Sequence, residues 1–316
     1  MTLTQLRALV EVAATGSVRQ AASQLVVSQP AVSAAVAALQ RDLGVALIAR
    51  EGRGLVLTPA GRVFAGYARQ ILGLLEEGRA AAAGQLHPER GRVRLAAVTT
   101  AGEHVLPVFL AAFRASWPQA EVVLEVGNRR RVWELLRYRE VDLVIGGRPP
   151  AGGRFRTLAT RPNPLVVVAP RGAQPGPDDD GVRDCPDDDV RDVGVAKLAA
   201  QVWLLRESGS GTRSTAEELF EEFGISPPTL TLGSNGAVRE SVRAGLGVTL
   251  ISRDAVAREL GGRALEEWRC PGLPLRRAWH VVGRAGEDLP PTAALFLAGL
   301  AGPGGNAGGG CFDLAD

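Results

Sequence analysis

The stretch Ser17-Val18-Arg19-Gln20-Ala21-Ala22-Ser23-Gln24-Leu25-Val26-Val27-Ser28-Gln29-Pro30-Ala31-Val32-Ser33 decides the reading of the amino-terminal region. Ser17 is a fit N-cap for a short helix whose Ala21, Ala22 and Leu25 face inward, and small alanines let a second helix approach closely. Ser28 caps the next helix, with Pro30 in its first turn, where a missing N–H costs nothing. Ala31, Val32, Val36, Leu39 and Leu43 give that helix its apolar stripe, and Gly44 stops it. Two short helices joined by a tight turn are the geometry that seats a recognition helix in the major groove of DNA.

Reading onward, Ala46-Leu47-Ile48-Ala49-Arg50, the turn Glu51-Gly52-Arg53-Gly54 and Leu55-Val56-Leu57 form a two-stranded wing. Arg50 and Arg53 stand where a wing meets phosphate or a narrow minor groove. Thr58-Pro59 then supplies a second cap with proline at the first helical position. The helix it launches carries Phe64, Tyr67, Ile71, Leu74 and Leu75, an apolar stripe that finds burial most simply against a second copy of itself. This divides the chain into a winged helix-turn-helix over residues 1–60, a linker and dimerisation helix over 58–90, and a larger unit from 91 to 301.

The whole chain has 316 residues, enough for two or three compact units. Hydrophobic residues make up 46% and charged residues 22%, a soluble globular composition, and the formal net charge is +2. With so little overall charge, any DNA-binding surface must come from local placement of arginine. The first residues, Met1-Thr2-Leu3-Thr4-Gln5-Leu6-Arg7, contain no basic-then-apolar export signal, and no segment reaches membrane-spanning length, so a cytoplasmic protein is expected. Cys185, Cys270 and Cys311 are odd in number and widely spaced, which implies neither a disulfide framework nor a metal knuckle.

Beyond Gly91, apolar strand-like runs alternate with helical ones. Strands at 93–98, 122–126 and 142–145, with helices at 105–113 and 132–138 between them, read as a parallel sheet with crossover helices. A second set follows: strands at 165–169, 202–205, 229–232 and 248–252, with helices at 215–223 and 237–244. A late strand at 278–282 and a last helix at 292–300 return to the first sheet. The expected architecture is α/β, with lobe I over about 91–163 and 275–301, lobe II over about 164–274, and a cleft between them. Residues 171–192, with Asp178-Asp179-Asp180 and Asp187-Asp188-Asp189, read as a solvated surface insertion and not a metal site, since adjacent like charges repel and no His or Glu fixes a geometry. Residues 302–316 read as a flexible tail.

In this order the residues resemble the LysR family of bacterial regulators. Ser17, Ala21-Ala22, Leu25, Ser28-Gln29-Pro30-Ala31-Val32-Ser33, Leu39, Leu43-Gly44, Leu47, Arg50 and Leu57-Thr58-Pro59-Ala60-Gly61 stand where that family's signature has them. Val18, Gln40 and Ile48 depart from it, in place of the usual Phe, Glu and Phe, and these swaps alter packing more than contact chemistry. The resemblance implies a homodimer or homotetramer on double-stranded DNA carrying an inverted repeat, with RNA polymerase as a further partner and no membrane. For base contact the chemistry favours Gln29 toward an adenine edge, Pro30 toward a thymine methyl, and Ser33 toward either, beside the cap Ser28.

The resemblance extends to the second unit, where such domains look like periplasmic binding proteins that hold a small effector between two lobes. Strand ends at the crevice of an open α/β sheet point to Thr99 and Thr100, Gly147 and Arg148, and Ser234 and Asn235. Each group is read as lying at a helix start, where free N–H groups and hydroxyls favour an anion, and Arg148 adds a bidentate contact to a carboxylate or phosphate. Thr, Ser and Asn before helices are also ordinary caps. The runs Val126-Gly127-Asn128-Arg129, Gly146-Gly147-Arg148-Pro149-Pro150 and Leu205-Arg206-Glu207-Ser208-Gly209-Ser210-Gly211-Thr212-Arg213 look like the regulators of carbon-fixation operons, whose effectors are phosphorylated sugars and related metabolites; similar runs occur in regulators of sulfur metabolism.

A solute-binding protein and a small-molecule enzyme on the same fold are the alternatives. The Ser208-Gly209-Ser210-Gly211 run lacks the glycine two residues before either serine that a nucleophile elbow needs, and His87, His104 and His280 are the sole imidazoles. No catalytic residue, metal or resident cofactor is expected, only a small-molecule co-inducer.

Overall fold

Local capping sets the amino-terminal helices. The protein is described here from a computed structural model that covers residues 1–52, 54–84, 87–172, 190–301 and 311–315. Thr2 and Gln5 form a reciprocal capping box at the start of α1 (Leu3–Thr15), and Gly16 closes it in the left-handed conformation. Ser17 accepts from the Gln20 amide to start α2 (Val18–Leu25), and Ser28 accepts from the Ala31 amide to start α3 (Gln29–Leu43). The axes of α2 and α3 are bent by 107° at the turn between them. That turn places Val26 in the left-handed region, φ 55°, a conformation rarely taken by a β-branched side chain. Buried Leu9, Leu39 and Leu47 anchor one side of the domain, and Val12, Ala21, Ala22 and Val32 the other.

The wing pairs β1 (Ile48–Glu51) antiparallel with β2 (Gly54–Leu57), Arg50 opposite Leu55. Gln40 closes the wing onto α3, its Oε1 accepting from the Leu47 and Ile48 amides at 2.8 and 3.2 Å. An amide oxygen does this as well as a carboxylate, which accounts for glutamine at that position. Val18 and Ile48, the other two departures from the signature, are half-buried against the Val12 and Ala21 core.

Next comes α4 (Pro59–Gly84), capped by the Thr58 hydroxyl, which accepts from the Gly61 amide at 2.9 Å. A Cβ on Gly61 would lie 1.8 Å from the Leu47 carbonyl oxygen, so only glycine lets the helix pass there. The expected dimerisation stripe is divided. Phe64 packs into the winged-helix core and Leu75 is half-buried, whereas Tyr67, Ile71 and Leu74 are exposed along with Val63. The distal half of α4 lies against the larger unit. Glu77 accepts from Arg139 at 2.7 Å and from Arg284, and a Cβ on Gly73 would meet the Tyr138 carbonyl oxygen at 2.5 Å.

Beyond a short 3-10 turn, Pro88–Arg90, lobe I has a six-stranded sheet. Its members are β3 (Arg92–Val98), β4 (Glu121–Gly127), β5 (Leu143–Gly146), β6 (Phe155–Pro162), β13 (Ala278–Arg284) and β14 (Asp313–Leu314), in the order β14-β6-β13-β5-β3-β4. Helices α5 (Leu106–Ser116), α6 (Arg129–Arg137) and α11 (Pro291–Ala301) cover it. Lobe II has β7 (Leu165–Pro170), β8 (Val190–Asp192), β11 (Thr249–Ser252) and β12 (Leu265–Arg269) in one sheet, order β11-β7-β12-β8, beside the parallel pair β9 (Trp203–Arg206) and β10 (Thr229–Leu232). Its helices are α7 (Val195–Ala199), α8 (Gly211–Phe223), α9 (Asn235–Arg243) and α10 (Arg253–Gly261). The chain passes between lobes twice, and the two passages are tied by reciprocal backbone bonds of Leu165 with Leu275 at 3.0 and 2.9 Å.

Four expectations need correction. The sheets are mixed, not parallel: β3 runs parallel to β4 and β5, but β13 is antiparallel to β5 and β6, and β7 to β11 and β12. β6 and β12 escaped notice because their buried faces carry charge. Arg161 on β6 pairs with Asp254, and Glu267 on β12 with Arg253 and Arg269. The end of the chain is not wholly a loose tail, since β14 pairs with β6 and Phe312 is buried, edge-on to Phe109 at 5.5 Å. Nor is all of 171–192 a loop, because β8 pairs parallel with β12. Both aspartate triplets, Cys185, Arg53 and the glycine-rich stretch 302–310 lie outside the described residues. Cys270 is buried, and burial pushes its thiol above its ordinary value, an unreactive setting.

Candidate functional site

Two surfaces gather the chemistry. On the first, Ser28, Gln29, Pro30, Ser33 and Ala34 are exposed together on the first turns of α3, opposite buried Val32 and Val36. The Ser28 hydroxyl is engaged as a cap, with 3.3 Å between its oxygen and the Ala31 nitrogen, so its service is to the helix. Arg50 is exposed on the wing, and Arg19 at the start of α2 adds an exposed cation that the sequence reading passed over.

The second surface is a cavity of about 660 Å³ between the lobes. Lobe I contributes Thr99 and Thr100 after β3, Asn128 and Arg129 after β4, and Gly147 and Arg148 after β5. Lobe II contributes Arg206 at the end of β9 and Glu207 after it, and Ser210, Gly211 and Thr212 at the start of α8. The passages between lobes add Asn163, Arg276 and Arg277, and β13 adds His280. Five arginines line the space against two carboxylates, Glu207 and Glu218. The amino-terminus of a 13-residue helix, α8, opens on it, so unpaired backbone N–H groups add to the positive field.

Several lining groups are held in place. Arg129 donates to the Arg148 carbonyl at 2.9 Å, and Arg277 pairs with Glu218 at 3.3 Å. Thr100 accepts from the Asn235 amide at 2.9 Å, joining the lobes across the back of the cavity. Asn163 is buried where the chain crosses, accepting from Ser252 at 2.7 Å. His280 stands 3.3 Å from the Thr157 hydroxyl, and burial, aided by the charge of Arg148, holds its imidazole below the ordinary histidine value. It is therefore neutral near pH 7.

Among the expected effector residues, Thr99, Thr100, Gly147 and Arg148 come together here. Thr100 makes no side-chain cap: its own backbone is helical, φ −61° and ψ −43°, ahead of a π-helical turn, Ala101–Val105. Gly147 and Arg148 lead into β6 and not a helix. Ser234 is exposed and caps α9 by accepting from the Ala237 amide at 3.1 Å; Asn235 is buried behind the cavity, between Thr100 and Arg206. Neither lines it. Arg129, Arg206, Ser210, Asn163, Arg277 and His280 were not among the expected contacts.

Comparison with known proteins gives the family. The family described as "Bacterial regulatory helix-turn-helix protein, lysR family" matches residues 3–62, and "LysR substrate binding domain" matches residues 87–302. This chain belongs to the LysR family. It is a LysR-type transcriptional regulator, a family that is not enzymatic. Over 297 residues it is 35% identical to the RuBisCO operon transcriptional regulator of Allochromatium vinosum, covering 94% of each chain. The regulatory domain of CcmR from Synechocystis PCC6803, solved in complex with 2-PG, is similar with a TM-score of 0.56 and 29% identity, over 66% of this chain and 96% of that one. Full-length CbnR complexed with its target DNA shares the fold, with a TM-score of 0.63 and 23% identity over 95% of this chain and 98% of that one. Among the described residues no single helix of this LysR-type chain is long and apolar enough to cross a membrane.

Proposed function

We propose that this regulator senses a small anionic metabolite in the cavity between its lobes and that occupancy changes its grip on an inverted-repeat operator in the cytoplasm. The observation that carries the ligand class is the excess of five arginines over two carboxylates in a cavity onto which the amino-terminus of α8 opens. A phosphoryl or carboxylate group there gains charge-assisted hydrogen bonds from Arg148 and hydroxyl contacts from Thr99 and Ser210. The likeness to the CcmR regulatory domain, which holds 2-PG, and to RuBisCO operon regulators supports the same class and a link to carbon fixation.

DNA is read by Gln29, Pro30 and Ser33 at the start of α3, with Arg50 and Arg53 fixing the register on phosphate. Small residues at Ala34 and Ala37 leave few long side chains for base edges, so shape and backbone contacts carry much of the selectivity. Exposed Val63, Tyr67, Ile71 and Leu74 on α4 pack against the same helix of a second chain. The ion pairs of Glu77 with Arg139 and Arg284 connect that helix to lobe I, giving lobe movement a route to the spacing of the two readers.

Calorimetric titration of the full chain with 2-PG and with a neutral sugar tests the sensing half. Binding of the anion alone is expected, and equal binding of both would overturn the reading. Retardation of the chain's own promoter DNA at two salt concentrations tests the reading half, with affinity expected to fall steeply as salt rises.

A further inference from the structure

At the cavity's inner wall one arginine is already engaged by a carboxylate from its own chain. Arg206, at the end of β9, donates from Nε to Glu207 at 2.7 Å and from Nη2 at 2.9 Å, a two-pronged pair of the kind a ligand carboxylate or phosphoryl group would make. The two partners differ in freedom. The Arg206 side chain is 10% exposed and fixed from behind, its Nη1 donating to Asn235, which in turn donates to Thr100 of the opposite lobe at 2.9 Å. The Glu207 side chain is 37% exposed and sits at the start of the Glu207-Ser208-Gly209 loop, in which Gly209 adopts φ +89°. Both residues line the cavity. Hydrogen bonding from Arg206 holds the Glu207 carboxyl below its ordinary value, so it is ionised at neutral pH.

We propose that Arg206 is the principal anchor for the effector's acidic group and that Glu207 is its internal competitor. An incoming anion takes over the guanidinium edge that Glu207 holds, while Glu207 swings to solvent. This rests on the anion reading of the cavity and adds to it a residue that sets the threshold of the response. The exchange trades one carboxylate pair for another, so the ligand gains only what the remaining arginines and the α8 amides add. Affinity is thereby held down, which suits a sensor that reports a rise in a metabolite and does not saturate at its basal level. Arg206 also touches the one described side-chain link from Asn235 to Thr100, so exchange at its outer edge acts directly on an interlobe contact.

The test is calorimetric titration of the intact chain with 2-PG and, separately, with inorganic phosphate. Glu207→Gln keeps an acceptor for Arg206 but removes the charge, and it is expected to tighten 2-PG binding by about tenfold, the value of a partly exposed charge-assisted pair. Glu207→Asp, which shortens the reach to Arg206 and keeps the charge, is expected to tighten it by only about two- to threefold. Arg206→Gln is expected to weaken it in either background. A thermal melt of each variant verifies folding. If the wild type binds 2-PG and Glu207→Gln binds it equally or more weakly, Glu207 is a clamp that positions Arg206 and the inference fails alone. If neither anion binds the wild type, Glu207→Gln or Glu207→Asp, the anion reading fails and takes the inference with it.

Discussion

The reader and the sensor of this regulator are built on opposite principles. In the winged helix, the residues that cap, pack and are proposed to face DNA lie within one run of 45 positions, from Ser17 to Gly61, and each helix start there is closed by a side chain three residues from the amide it satisfies. In the sensor, the cavity gathers Thr100, Arg129, Arg148, Asn163, Arg206 and His280, six positions spread over 181 residues of sequence. Local capping makes the first a unit that stands on its own spacing; only the closure of two sheets makes the second. Damage to one is therefore expected to leave the other intact.

The largest effect falls on the reader. Gly61→Ala would drive a Cβ into the Leu47 carbonyl and cost about 3 kcal/mol. Retardation of operator DNA should be lost while the dissociation constant for 2-PG stays within about twofold; loss of both would break the independence of the two regions. On the other side, Arg148→Ala removes a cavity cation that has no carboxylate partner among the described residues. It should weaken 2-PG by about tenfold in calorimetry, with operator affinity in the absence of ligand unchanged.

A smaller effect sharpens the comparison from within the reader. Val26 is 89% exposed and left-handed, so its side chain contributes little packing while its backbone is strained. Val26→Gly should stabilise the winged helix by about 1 kcal/mol in chemical denaturation, without affecting the sensor's transition. The smallest effect belongs to the sensor. Burial holds both His104 and His280 below the ordinary histidine value, with Arg239 and Arg148 respectively adding to it. Above the unfolded value of about 6.5 neither state carries the proton, but below it the unfolded chain binds protons that the folded chain refuses. Stability of the effector domain is thus expected to decline as pH falls through about 6.5, and to level off once the folded imidazoles are protonated too. The double variant His104→Gln, His280→Gln should show a flatter melting-temperature profile over that window.

The same contrast explains what was legible in the sequence. Caps at Ser17, Ser28 and Thr58, the stop at Gly44 and the stripe of α3 speak through spacing alone, so the helix-turn-helix and its wing could be drawn from sequence. Strand ends after β3 and β5 pointed to Thr100 and Arg148 for the same reason: an apolar run stops and a polar residue follows. The same signal exists after β4 at Arg129 and at the end of β9 at Arg206, in runs that also carry the family likeness. Asn163 and His280 gave no such signal, because they reach the cavity only where the chain crosses between lobes and β13 turns back antiparallel. Strands with buried charge hid for a related reason: Arg161 and Glu267 pair with Asp254 and Arg253 on another element, and alternation of apolar residues is lost when ion pairs take their place. Ser234 shows the converse, a polar residue at a helix start that is only a cap.

The central claim is that occupation of the interlobe cavity by a small anion alters the hold on DNA. The measurement that tests it most directly is operator retardation by the wild-type chain and by Arg148→Ala, each titrated with and without 2-PG at a concentration that saturates the wild type in calorimetry. A shift in the wild-type half-saturation point, reduced or absent in Arg148→Ala at the same concentration, is the result predicted here. Superimposable wild-type curves with the cavity demonstrably filled would contradict it.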